Sequence, residues 1–239
     1  MGFCSRSQAA KLIREGRVQL NGATRRDPET PVCLEQDRIK VDRNVVTTEL
    51  RIYLMLNKPR GVITTASDEE GRQTVYSLLN EKLPWVGPVG RLDKASEGLL
   101  LLTNDSEWGA RISDPDSHVE KTYHVQVGAQ ASEAMVDKLV RGVLAGGELL
   151  RAKRARVLRS GEKNTWLEIL LDEGKNRQIR RMFEHLGIEI LRLIRIAIGP
   201  LALGQLDKGK FRNLAAQEKV AMDQAVRISR DKTRIFEKG

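Results

Sequence analysis

Gly90 to Asp105 reads GRLDKASEGLLLLTND, a polar turn that feeds an apolar run from Leu99 to Leu102. Four consecutive leucines between Gly98 and Thr103 are too short for a helix and fit one fully buried strand. The punctuated segment WVGPVG precedes it, so Asp93 stands at the mouth of a core element. A carboxylate in a loop braced by a buried strand is placed where a nucleophile or general base would be wanted. The same spacing also suits an ordinary turn or cap aspartate, and from these residues alone both readings stay open.

Upstream, RIYLMLNKPRGVITT reads as a strand, a turn at Lys58–Gly61 and a second strand, and a short helix is predicted to start at Thr74. Downstream, a helix over 105–112 and a DPDS turn lead to EKTYHVQVG. That run is a strand with Tyr123 and Val125 on one face and His124 and Gln126 on the other. A helix over 131–141 follows, then a basic return towards strand and the strand TWLEILLDEG. It delivers the chain to GKNRQIRRMFEHLG. There Ile179, Met182, Phe183 and Leu186 make an i, i+3, i+4, i+7 stripe, Arg177 and Arg181 share the opposite side, and Arg180 sits on the border. The strands around LRLIRIAIGPLAL and a helix over 214–226 complete this part.

The first 26 residues carry Arg6, Lys11, Arg14, Arg17, Arg25 and Arg26 against the single acid Glu15. Ser5 and Gln8 form a capping box, and Ala9, Leu12 and Ile13 make an apolar stripe ended by Gly16. RVQLNG is then a strand entering an Asn21-Gly22 turn. Apolar periodicity is lost over Thr47–Glu49 and resumes at Ile52, which sets a boundary. Residues 227–239, with Arg227, Arg230, Lys232, Arg234 and Lys238, read as a poorly ordered basic tail.

The chain has 239 residues, 40% of them apolar, and 41 Lys plus Arg against 32 Asp plus Glu, a formal charge of +9. That excess suits a polyanionic partner, since neutralised phosphates release condensed counterions. No run approaches the ~18 apolar residues of a membrane span and no signal peptide is visible, so a cytoplasmic protein is expected. Cys4 and Cys33 form no CxxC pair, and His118, His124 and His185 lack metal-ligand spacing, so neither disulfide framework nor metal is expected.

GRLD followed by GLLLLT, together with LNKPRG, KTY and the QIR stretch in that order, resembles the RNA pseudouridine synthases. The likeness is to the branch that modifies ribosomal RNA and carries an N-terminal S4 domain, which SRSQAAKLIREGRVQLNG resembles. It implies an α+β protein: a small S4-type α/β RNA-binding domain over 1–48, expected to be trimmed at its start, and a catalytic domain over 51–226. The latter is implied to rest on a mixed, mainly antiparallel sheet with flanking helices, the tail following at 227–239. The resemblance makes Asp93 the nucleophile and Tyr123 the residue that packs on the target base and takes the C5 proton. Arg180 becomes the partner of the catalytic carboxylate. Contacts to RNA are expected from Arg6, Lys11, Arg14, Arg17, Arg91, Lys121, Lys175, Arg177 and Arg181.

Isomerising uridine gains and loses no atoms, so the resemblance implies no cofactor. The expected partner is ribosomal RNA, large-subunit RNA favoured over small-subunit RNA, with the chain acting as a monomer. A non-catalytic ribosome assembly protein would explain the basic segments equally well, but not the set of Asp, Tyr and Arg. A methyltransferase would need a Gly-rich nucleotide loop after a strand, and Gly146-Gly147 does not have that setting.

Overall fold

A computed structural model describes residues 3–33, 36–47, 50–66, 68, 70–79 and 83–236, with side chains described as far as Arg227. Helix α1 (Arg6–Arg14) opens the chain and is capped as the sequence suggests, Ser5 accepting from the Gln8 backbone while Gln8 reaches back to the Ser5 backbone. Strands β1 (Val18–Leu20), β2 (Ala23–Arg25), β3 (Ile39–Val41) and β4 (Asn44–Val45) form a sheet in the order β2-β1-β3-β4. The predicted Asn21-Gly22 hairpin joins β1 to β2, both turn residues having positive φ. Two of the residues assigned to the boundary, Thr48 and Glu49, lie outside the described residues.

A nine-stranded sheet makes up most of the rest. It contains β5 (Tyr53–Lys58), β6 (Gly87–Val89), β7 (Glu97–Thr103), β8 (Lys121–Val127), β11 (Arg154–Ser160), β12 (Thr165–Leu171), β13 (Ile190–Ile198), β14 (Leu201–Ala202) and β15 (Phe211–Asn213). The strands β9 (Val143–Ala145) and β10 (Glu148–Leu150) form a separate hairpin around Gly146-Gly147, both of positive φ. The order is β11-β12-β8-β13-β7-β5-β15, with β14 on β13 and β6 on β7. Among the described strands only β13 and β7 run parallel; the other pairs are antiparallel. The architecture is therefore α+β on a mixed, mainly antiparallel sheet.

The four leucines of β7 have no solvent exposure because both faces of the strand are covered. Leu99 and Leu101 pack with Trp108 and Ile112 of α2 (Ser106–Ser113) and Met222 of α5 (Ala216–Phe236). Leu100 and Leu102 face Val62, Val75, Val86 and Leu92. A third cluster joins Val125, Leu167 and Leu193 of the sheet to Leu139 of α3 (Glu133–Arg141) and to Ile179, Met182 and Phe183 of α4 (Gln178–His185). Gly98 is required where β7 meets β13, for a Cβ there would lie 2.2 Å from the Arg195 carbonyl oxygen.

Two expectations are corrected. The segment after Thr74 is a single 3-10 turn, Val75–Leu78, its apolar residues seated on β5 and β7. The last helix continues to Phe236, so the backbone over most of the supposed tail is helical; Lys238 lies outside the described residues.

Candidate active site

Asp93 is held by the loop around it. Leu92 is buried beneath the site, and its carbonyl accepts from the Thr64 hydroxyl at 2.8 Å. The Lys58–Gly61 turn braces the same loop: the Gly61 N–H donates to Lys94 O at 2.8 Å. Lys58, fully buried, donates through Nζ to Ser96 O at 2.8 Å and Pro59 O at 3.1 Å. Burial pushes the Lys58 ammonium down to about 8, with Asp93 and Glu97 pulling it back up. The LNKPRG segment is thus a clamp on the aspartate loop, with a buried cation inside it.

Tyr123 reaches the same cleft from the middle of β8, paired in register with Ile169 of β12 and Arg195 of β13. Its ring packs on apolar side chains of both neighbouring clusters. Among the described residues its hydroxyl takes no hydrogen bond.

Helix α4 brings the cations. Arg180 Nε lies 3.6 Å from Asp93 Oδ2, an ion-pair distance beyond hydrogen-bond range. Its Nη2 donates to Ala95 O and to Ser96 Oγ, each at 3.0 Å, so the guanidinium also ties down the aspartate loop. Burial lowers the Arg180 pKa from its ordinary value, and Asp93 opposes the shift. Arg177 Nη1 stands 3.4 Å from the same Oδ2. The helical wheel put Arg177 on the far side, but α4 begins only at Gln178 and Arg177 caps it in a left-handed conformation, φ 48°. That turn swings its side chain to Asp93.

The residues 52–185, which contain Asp93, Tyr123 and Arg180, match the family model for RNA pseudouridylate synthase, and residues 1–39 match that of the S4 domain. The chain belongs to the RNA pseudouridine synthase family. An RNA pseudouridine synthase of Aquifex aeolicus is 37% identical over 94% of this chain and 91% of its own length. The ribosomal large subunit pseudouridine synthase B of Bacillus subtilis is 36% identical over 91% and 89%. A crystal structure of a pseudouridylate synthase superposes with a TM-score of 0.67 at 32% identity, covering 91% of this chain and 94% of that one.

In this pseudouridine synthase the expected RNA contacts divide into groups. Arg91, Lys121 and Lys175 line the cleft with Arg177. Arg6, Lys11 and Arg14 are exposed on α1, away from internal acids except for a 3.9 Å contact from Lys11 to Glu15. Arg17 is held by Asp42, to which its Nε donates at 2.8 Å. Arg181 is spent within the fold: it donates to Glu148 Oε2 and Ala145 O, both at 2.8 Å, and locks α4 onto the β9–β10 hairpin. Arg195 escaped the sequence reading. It is buried, its Nε donates to Leu99 O at 2.7 Å and its Nη2 has no partner. An arginine inside the apolar strand LRLIRIAI was the signal for it.

Proposed function

We propose that this synthase isomerises a specific uridine of ribosomal RNA, large-subunit RNA favoured over small-subunit RNA, with Asp93 as nucleophile. The observation that carries the reading is the meeting of Asp93, Tyr123 and Arg180, from three distant segments, at one cleft. The large-subunit preference draws on the Bacillus relative's name and on the S4 match. Residues 1–48 act as the S4 unit, residues 51–226 carry the chemistry, and the chain works as a cytoplasmic monomer.

In this reading the target base leaves its stack and packs on Tyr123, at a cost of a few kcal/mol that is least in loops. Asp93 forms a bond to C1′ as the C1′–N1 bond breaks and its electron pair departs on the uracil ring. The ring turns, C5 bonds to C1′ as Asp93 is released, and the C5 proton passes to Tyr123 as its own hydroxyl proton passes to solvent, from which N1 gains one. Nothing is gained or lost. Arg180 and Arg177 hold the attacking carboxylate, and Arg91, exposed at the cleft, is positioned for phosphates.

Pseudouridine mapping of ribosomal RNA from cells carrying wild type, no gene, or Asp93→Asn tests this. The expected result is one large-subunit site present with wild type and absent in the other two, with the purified Asp93→Asn protein binding RNA within several-fold of wild type. Modification by Asp93→Asn at more than a trace, or a target outside ribosomal RNA, would overturn it.

A further inference from the structure

We infer that Lys121 is a catalytic residue whose ammonium holds a carbonyl oxygen of the target uracil and takes up the negative charge the ring acquires as the C1′–N1 bond breaks. The inference rests on the reading of the cleft as a uridine-isomerising site. Lys121 precedes Tyr123 by two residues on β8, so both side chains leave the same face of the sheet, roughly 7 Å apart along the strand. A base packed on the Tyr123 ring lies within reach of a lysine at that distance. Lys121 lines the same cleft as Asp93 and makes no hydrogen bond or ion pair among the described residues.

The surroundings are cationic beyond what Asp93 needs. Arg177 and Arg180 already pair with that carboxylate. From β13, Arg195 comes up beside Tyr123 in register, buried and with one N–H group lacking a partner. Lys175 also lines the cleft but is tied to Glu148 at 3.5 Å and Glu173 at 3.2 Å, and Lys58 lies beneath the aspartate loop. The acid that opposes Lys121 is Asp172, itself in contact with Lys153 at 3.7 Å. Burial pushes the Lys121 ammonium down to about 8, Arg195 adds to the shift, and Asp172 resists it. An unpaired, partly desolvated ammonium costs stability when nothing binds to it. A leaving group with its new electron pair spread over N1 and the ring oxygens supplies the missing anion, whether Asp93 attacks C1′ or first removes the 2′ proton.

The test is the single-turnover rate on an RNA carrying the target uridine, measured from about pH 6 to 10 for wild type, Lys121→Arg and Lys121→Gln, with RNA affinity and thermal melts alongside. The Lys121 pKa is lowered in the folded protein, so the charged form is present below about 8 and lost above it. The wild-type rate is expected to fall through that pH. Lys121→Arg should keep most of the activity and move the fall upward. Lys121→Gln should lose about 10²-fold at neutral pH, as when a donor to developing negative charge is removed, with affinity within several-fold and the melt no lower than that of wild type. A wild-type rate in Lys121→Gln, or a loss of affinity with the rate at saturation intact, would make Lys121 a bystander or a phosphate contact. An alkaline fall unmoved in Lys121→Arg would assign it to Lys58 and overturn the inference. In each of these cases active wild type beside inactive Asp93→Asn leaves the proposed function standing; wild type that forms no pseudouridine fails that reading instead.

Discussion

Leu99, Leu100, Leu101 and Leu102 of the large sheet are completely buried, whereas among the described residues before Leu50 only Leu20 and Val41 are buried and the apolar side chains of α1 are only partly covered. Burial on both faces fixes a strand to fractions of an ångström, which suits the carboxylate proposed as nucleophile. A four-stranded sheet of two- and three-residue strands under one amphipathic helix lacks the apolar area for that. It can offer charge and reach. Precision of position is thus assigned to one region and electrostatic contact to the other.

The sharpest break between the regions is expected in turnover. Arg180→Met strips a half-buried cation from Asp93 and leaves Ala95 O and Ser96 Oγ without their donor. The rate at saturating RNA should fall about 10²- to 10³-fold. Arg177→Met removes a half-exposed cation while Arg180 stays, so the loss should stay under about tenfold. Arg14→Met on α1 should leave the saturated rate unchanged. Single-turnover kinetics of the three proteins decide it, and equal losses for Arg180→Met and Arg14→Met would abolish the division.

Stability should divide in the same way, with a smaller effect. Leu100→Ala opens a cavity between Leu54, Val62 and Val86 and is expected to cost about 2–5 kcal/mol. Leu12→Ala truncates a side chain that is only partly covered, and should cost under about 1 kcal/mol in the same denaturant titration. Comparable costs would mean that the N-terminal region has a core of its own.

Sequence patterns revealed what periodicity controls. The Leu99–Leu102 run and the Ile179, Met182, Phe183 stripe read directly as core, because an apolar pattern has one meaning once its period is known. The grouping of Asp93 with Tyr123 and Arg180 was legible only through the family resemblance, for no local pattern brings together residues so far apart in the chain. Arg177 and Arg181 show what neither route could read. Whether an arginine meets Asp93 or Glu148 depends on one left-handed residue and on a hairpin placed by Gly146-Gly147. Charge in a sequence names no partner. The continuation of α5 beyond Val226 was missed for a related reason: its basic composition resembles a solvated tail, and the helical backbone continues a helix already docked through Met222 and Val226.

The smallest expected effect tests the N-terminal side of the comparison. Arg6, Lys11 and Arg14 are exposed on one short helix, and the 3.9 Å contact between Lys11 and Glu15 is too exposed to hold the lysine back. If these three side chains meet phosphates, each releases counterions on binding, and the salt dependence of affinity counts them at roughly 0.7 to 0.9 per contact. Replacing all three by Gln should leave the fold intact, since none is buried. It should weaken RNA binding at low salt and reduce the slope of log affinity against log salt by about two. Because the substitutions leave Asp93, Tyr123 and Arg180 untouched, the rate at saturating RNA should not move, and the affinity difference should shrink as salt rises. An unchanged slope would place the phosphate contacts elsewhere, on cleft cations such as Arg91, and would give both affinity and chemistry to the large sheet.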